Sequence, residues 1–440
     1  MATIKTFLSN FSEHLIDKAY DFVGHVVNSF VAITLLMRII GEKIYNIWRA
    51  IPLKPIQWIL LVYCIASGLY IITTPALHLG YELPFYQTTT ALSPLDSITS
   101  LHQNTIAQDT PLYYILATTI TRLSDNVIVR LFLLRTFSAV LGTISLYIFY
   151  RATRLLSLEP ELAPITITAA AFLLPDFLYR AISATPTAFI VLACSLLLYS
   201  GLLIYIKGLN GRRAAGAILA LTLVQLNSDI GLLLLPMSAW FILRAKTENR
   251  AFKGLLLAGM IATSLTTFLW HIPIITEIAS KPILEVWTIA PLTFVKGAEV
   301  FSQSGQGITL LFILVYSVST LGALLTYIPI QQERVQKIFW SVGIVALTSI
   351  AGLIWLMIIN RIGGSIDTYL ALLHPLLSLT MMFVIIEFWW WVNLILKHGI
   401  TAMSTVADKA LLAKSVNQDL PFAILLFIAL SLSAPISYVL

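Results

Sequence analysis

A chain of 440 residues that is 58% hydrophobic, 11% charged and has a mean hydropathy of +0.88 is too apolar for a water-soluble globular protein. Its formal net charge of +6 would suit a nucleic acid if the cations formed one patch, but they fall in small groups between apolar runs. Membrane topology explains that distribution and excludes a nucleic-acid partner. Cys64 and Cys194 both sit inside apolar runs, so neither a disulfide framework nor a thiolate metal site is indicated, and core packing is the plain reading of both.

The chain opens with an amphipathic stretch. Phe7, Leu8, Phe11, Leu15, Ala19 and Phe22 recur at three- and four-residue spacing, with polar residues between them. Glu13 and Asp17 fall where a signal peptide needs basic and apolar regions, so the segment is expected to stay on the mature chain. Such a helix suits either the headgroup region or another membrane protein, and periodicity does not separate the two. Residues 1–50 are read as an N-terminal extension and 51–440 as one transmembrane domain.

A spanning helix needs about 20 mainly apolar residues. Stretches of that kind lie near 57–75, 127–150, 162–178, 185–206, 214–228, 229–243, 254–275, 307–330, 338–359, 369–395 and 420–439, which predicts an all-α polytopic bundle of about eleven spans. The stretch 22–40 is a further possibility. Lys and Arg concentrate on one side of these spans, in groups such as Arg151 and Arg154, Arg212 and Arg213, and Arg244 to Lys253. By the positive-inside rule that side is cytoplasmic, so the loops near 76–126 and 276–306 face outward. A plasma or bacterial inner membrane with an outward-facing site is the expected location.

The first of those loops is where chemistry is expected. It supplies Glu82, Asp96 and Asp109, with no Lys or Arg before Arg122. Carboxylates beside lipid with few counter-charges are suited to act as general bases, although solvated loop acids give the same pattern. The segment "PLYYILATTITRL" is too short to span and predicts a juxtamembrane helix. Farther on, "PDFLYRAISATP" sets Asp176 and Arg180 four residues apart at an outward helix end, and "NRIGGSIDTY" holds Arg361 at another. An Arg so placed is suited to a phosphate through its planar fork, or serves as an interfacial anchor. No metal-ligand spacing, phosphate loop or nucleophile elbow is present, and no metal or cofactor is expected.

The order of these features resembles the GT-C membrane glycosyltransferases, in the branch that holds protein O-mannosyltransferases and the aminoarabinose transferase of lipid A. A first span, an outward loop with an acidic start, "QDTPLYYIL" and "VIVRLFLLRTFSAVLGTISLYIFYRATRLL" follow in the family's succession, with Leu112, Tyr113, Tyr114, Arg135, Ser138 and Arg151 matching it. "LVQLNSDIGLLLLPMSAWFIL" resembles the paired middle helices, and "TYLALLHPLLSL" the last outward helix start, with Tyr369 and Pro375 in register. The resemblance implies a polyprenyl-phosphate sugar donor in an outward cavity and transfer of the sugar to a lipid, protein or glycan. It further implies an acidic residue of the first loop as base. On that basis Glu82 and Asp109 are the candidate catalytic residues, and Arg180 and Arg361 the candidates for the donor phosphate.

Four departures bear on that assignment. The family's loop Asp falls on Tyr81, its His-Pro pair on Asp109 and Thr110, its later acidic residue and Arg near Ser183 and Thr185, and its late Arg on Thr368. A tyrosine phenol, with a reference pKa near 10, is a poor replacement for a carboxylate base. Two readings follow. One is a divergent transferase using a polyprenyl-phosphate-linked sugar; the other is a catalytically silent GT-C-like subunit, structural or lipid-binding, that docks on membrane protein partners through its N-terminal extension.

Overall fold

The computed structural model describes residues 54–74, 82–92, 110–156, 162–173, 175–227, 229–246 and 250–279, with isolated positions among 36–46, 374–386 and 421–429. All regular structure among them is helical. Of the predicted spans, those at 307–330, 338–359 and most of 369–395 and 420–439 lie outside the described residues, as do nearly all of 22–40 and the amphipathic stretch before it.

Four described helices are long and apolar enough to cross a bilayer: α1 (Pro55–Thr73), α4 (Val127–Leu155), α7 (Thr187–Lys207) and the Arg250–Leu269 part of α10 (Arg250–Ala279). They mark the chain as a membrane protein and fall on four of the predicted spans. Between them lie α2 (Leu83–Ala91), α3 (Pro111–Thr121), α5 (Ala163–Phe172), α6 (Pro175–Ile182), α8 (Gly211–Leu226) and α9 (Leu235–Arg244).

Local sequence explains the helix starts. Pro55 fits the first turn, where no intrahelical N–H bond is lost, and the Lys54 N–H donates to Gln57 Oε1 at 2.7 Å. Asn126 caps α4, its Oδ1 accepting from the N–H groups of Ile128 (2.9 Å) and Val129 (3.4 Å). Gly208, at φ +82°, turns the chain between α7 and α8 in a conformation that a side chain would strain.

Helix α4 is the axis of the described bundle. Tyr63 of α1 lies against Gly142, and the Thr74 carbonyl accepts from Arg135, so α1 runs antiparallel to α4. Ser145 approaches the Ala188 carbonyl at 3.5 Å, and the Ala184 N–H reaches the carboxylate that Arg135 holds, so α7 runs parallel to α4. In α7, 67% of the apolar window is buried, against 22% in α10, which makes α7 a central helix and α10 a peripheral one. Between apolar helices, association depends on close van der Waals fit, and small residues supply it. A Cβ on Gly201 would lie 2.5 Å from Phe241 Cδ2, so α9 packs where only glycine leaves room. Helices α8 and α10 are joined instead by buried polar groups: Gln225 Nε2 donates to Ser264 Oγ at 2.8 Å, and Thr267 Oγ1 donates to Gln225 Oε1 at 3.2 Å.

Three sequence expectations need correction. The stretch 162–178 is not one continuous helix, because α5 ends at Phe172 and α6 starts at Pro175. Proline has no N–H for the Ala171 carbonyl four residues back. His374 takes its place, with Nε2 2.6 Å from that carbonyl and the ring stacked on Phe177 at 3.8 Å and 2°. A carbonyl only accepts, so Nε2 carries the proton. The stretch 229–243 likewise divides into a 3-10 turn (Asp229–Leu234) and α9, and neither α8 nor α9 reaches spanning length alone. Finally, Cys194 is buried as expected but Cys64 is exposed on α1, 4.0 Å from Thr143 Oγ1.

The contact between Tyr63 and Gly142 leads to a test of this packing. Gly142→Ala is expected to destabilise the protein by about 1–3 kcal/mol, and adding Tyr63→Phe, which removes the obstructing hydroxyl, to recover part of the loss. Thermal unfolding of the two variants in detergent measures both effects; equal stability of Gly142→Ala and wild type would contradict the α1–α4 fit.

Candidate functional site

Four described segments meet around Glu82. This residue stands at the start of α2 and is 0% exposed. Its carboxylate faces Arg135, which projects from the third turn of α4 and is 2% exposed. Arg135 Nε donates to Oε1 at 3.1 Å and Nη2 to Oε2 at 2.6 Å, a two-pronged pairing that fixes both planar groups. Oε1 also accepts from the Ala184 N–H at 2.8 Å, and Arg135 Nη1 donates to the Thr74 carbonyl at 3.0 Å.

Each partner is delivered by a different segment for a local reason. Thr74 is the C-cap of α1, where the last carbonyls have no helical partner. Ala184 lies in the turn between α6 and α7, beyond the last residue of α6, so its N–H is outside both helices and donates to Glu82 instead. Glu82 and Arg135 are 53 residues apart in sequence, and Ala184 is 102 from Glu82. One ion pair therefore ties α1, α2, α4 and the α6–α7 turn together.

Around the pair is an apolar shell. Tyr86, one turn beyond Glu82, packs in a cluster with Tyr113, Tyr114, Leu131, Leu134 and Ala184. The Tyr113 ring lies 5.4 Å from Tyr114 and stacks on Phe137 at 6.4 Å. The predicted juxtamembrane helix exists as α3, and its two tyrosines are 0% exposed, so it is packed into the bundle rather than laid over it. Burial strengthens the attraction between Glu82 and Arg135 and makes either charge costly to leave alone.

This placement answers the sequence expectations one by one. Glu82 was expected to lack a counter-charge, since no Lys or Arg precedes Arg122 in the loop; the counter-charge comes from Arg135, in the following span. Arg180 sits half-buried in the last turn of α6, four residues before Ala184, so its helix end adjoins the Glu82 pair. The Arg180 carbonyl accepts from Thr185 Oγ1 at 3.3 Å. Asp109 and Arg361 lie outside the described residues. Ser183 and Thr185, near which the resemblance places an acidic residue and an Arg, form local bonds: Ser183 Oγ donates to the Tyr179 carbonyl at 2.8 Å, and Thr185 Oγ1 lies 3.1 Å from Thr187 Oγ1.

Arg135 pairs with Glu82, although the sequence reading gives it no role beyond matching the succession of the GT-C resemblance. The available signal was an Arg inside an otherwise apolar span, where an ionised side chain needs a partner. Among the described residues no group of three or more His, Cys, Asp or Glu side chains is arranged to hold a metal ion.

Comparison of the chain with protein-family models finds no match, and comparison with curated protein sequences finds none either.

The chemistry of a buried pair sets the expected response to mutation. Glu82→Ala leaves the Arg135 charge buried and is expected to cost about 3–5 kcal/mol. The double variant Glu82→Met/Arg135→Met removes both charges and is expected to recover most of that loss. Thermal unfolding of Glu82→Met, Arg135→Met and the double variant closes the cycle, and a double-variant loss equal to the sum of the two single losses would contradict the coupling.

Proposed function

We propose that this chain is a multi-pass GT-C-like membrane protein that acts as a catalytically silent subunit, structural or lipid-binding, of a membrane protein complex. The observation that carries this reading is the use made of Glu82. A general base needs a lone pair within reach of the acceptor hydroxyl, about 2.6–3.2 Å away, and a route by which that hydroxyl arrives. Both oxygens of Glu82 already accept from Arg135, one accepts from Ala184 as well, and the residue has no exposed surface. The acidic start of the first loop is committed to holding four segments in place.

The departures from the family pattern support the same reading. Tyr81, Asp109 with Thr110, Ser183, Thr185 and Thr368 replace groups that the resemblance associates with transfer. A fold can persist when its reacting centre is lost, because function resides in the site. The N-terminal amphipathic extension supplies a docking element for a partner in the membrane. The outward orientation of the first loop belongs to this proposal and rests on the distribution of Lys and Arg.

One observation favours the second reading, a divergent transferase using a polyprenyl-phosphate-linked sugar. Arg180 ends α6 next to the turn that contacts Glu82, so a phosphate-binding group and the loop acid lie in one neighbourhood. In that case Asp109 would be the base, with Arg180 and Arg361 on the departing phosphate.

Purification in mild detergent with mass spectrometry of every co-purifying lipid and protein tests the choice. The expected result is a stoichiometric protein partner and no polyprenyl phosphate. A polyprenyl-phosphate sugar on the isolated chain, with sugar transfer abolished by Asp109→Asn, would overturn the silent reading.

A further inference from the structure

The bundle end opposite Glu82 carries a different kind of charge. Arg154 closes α4, Lys207 closes α7, Arg212 opens α8, Arg244 closes α9 and Arg250 opens α10. These ends are adjacent: the Leu209 N–H donates to the Lys246 carbonyl at 3.4 Å, and Lys253 Nζ donates to the Leu243 carbonyl at 3.1 Å. Glu82 and Asp125, the acidic residues whose side chains are described, lie toward the other end.

The cations divide into two sets. Arg213 and Lys253 are half-buried and act internally: Arg213 Nη1 donates to the Lys207 and Gly208 carbonyls at 2.6 and 2.7 Å, and Lys253 caps the end of α9. Arg154, Lys207, Arg212, Arg244, Lys246 and Arg250 are exposed. Helices α8 and α10 also start here, so two positive helix termini add to the side-chain charge.

Aromatic rings lie within about two turns of this rim. Arg151 stands 5.9 Å over Tyr147 with Nη1 3.1 Å from its hydroxyl, Arg154 stands 5.9 Å over Tyr150, and Tyr205 stacks on Trp240 at 5.3 Å and 16°. A Tyr and Trp layer marks the headgroup level of a bilayer, and side chains one turn beyond it sit at phosphate depth. The cations come from several helices around the bundle, as a lipid annulus requires.

We propose that this rim is a docking surface for anionic phospholipids, with Arg212, Arg244 and Arg250 engaging headgroup phosphates. The inference rests on the membrane reading and is independent of whether the chain is a silent subunit or a transferase. Arginine suits the role because its fork donates two hydrogen bonds to one phosphate and stays charged at the interface.

The test uses the full chain in bilayers containing trace spin-labelled phosphatidylglycerol or spin-labelled phosphatidylcholine, read by electron paramagnetic resonance. The expected result is a preference of about fivefold for the anionic lipid, the scale of one Lys or Arg near a charged surface, which salt reduces. Arg212→Gln/Arg244→Gln/Arg250→Gln brings the preference close to parity, whereas the corresponding triple Lys variant, which preserves the charge distribution, keeps most of it. Equal association of the two lipids with wild type, or an unchanged preference in the Gln variant, would overturn the proposal. If the Gln variant fails to fold, a salt-insensitive wild-type preference would overturn it too. A chain that stays out of the bilayer contradicts the membrane reading itself.

Discussion

An ionised carboxylate and a guanidinium, both almost completely buried, are tolerable only while they face each other. Removing either from water costs several kcal/mol, and the mutual attraction offsets this only with good geometry and satisfied remaining bonds. The pairing of Glu82 with Arg135 meets those terms through two direct hydrogen bonds, the Ala184 N–H and the Thr74 carbonyl. Because these groups belong to α1, α2, α4 and the α6–α7 turn, the pair fixes how the first loop sits on the bundle.

A second constraint shapes the neighbouring helices. Pro175 interrupts the ladder between α5 and α6, and His374 takes up the carbonyl that the interruption strands. The break allows α6 to turn, which brings Arg180 and then Ala184 toward Glu82. Thus a proline and a distant histidine, neither at the ion pair, influence where its third donor stands. The apolar contacts through Gly142 and Gly201 add close fit rather than direction, as expected where lipid removes most of the hydrophobic drive between helices.

Much of the architecture was legible in the sequence. Apolar length located α1, α4, α7 and α10, and the polar boundary after "PLYYILATTITRL" located α3. Periodicity and length do not show that 162–178 contains a break; the signal for it in the sequence is Pro175, which lacks the N–H a continuing helix needs. The same limit hid the 3-10 turn after Asn227. At the site, the sequence identified Glu82 and placed Arg180 on a helix end, but judged Glu82 by the charges of its own loop. Its partner lies 53 residues away, a distance that only folding closes. The resemblance to GT-C enzymes covered Arg135 without distinguishing a structural arginine from a catalytic neighbour.

The central claim is that Glu82 serves architecture rather than transfer. An experimental structure of the full chain in lipid nanodiscs, resolved well enough to trace the Glu82 and Arg135 side chains, tests it most directly. The account predicts the carboxylate seated against Arg135 and the Ala184 N–H, with nothing between the two charges. A Glu82 side chain turned into an open cavity, with a phosphate or sugar in contact with it or with Arg135, would contradict the account and restore a catalytic role to the first loop.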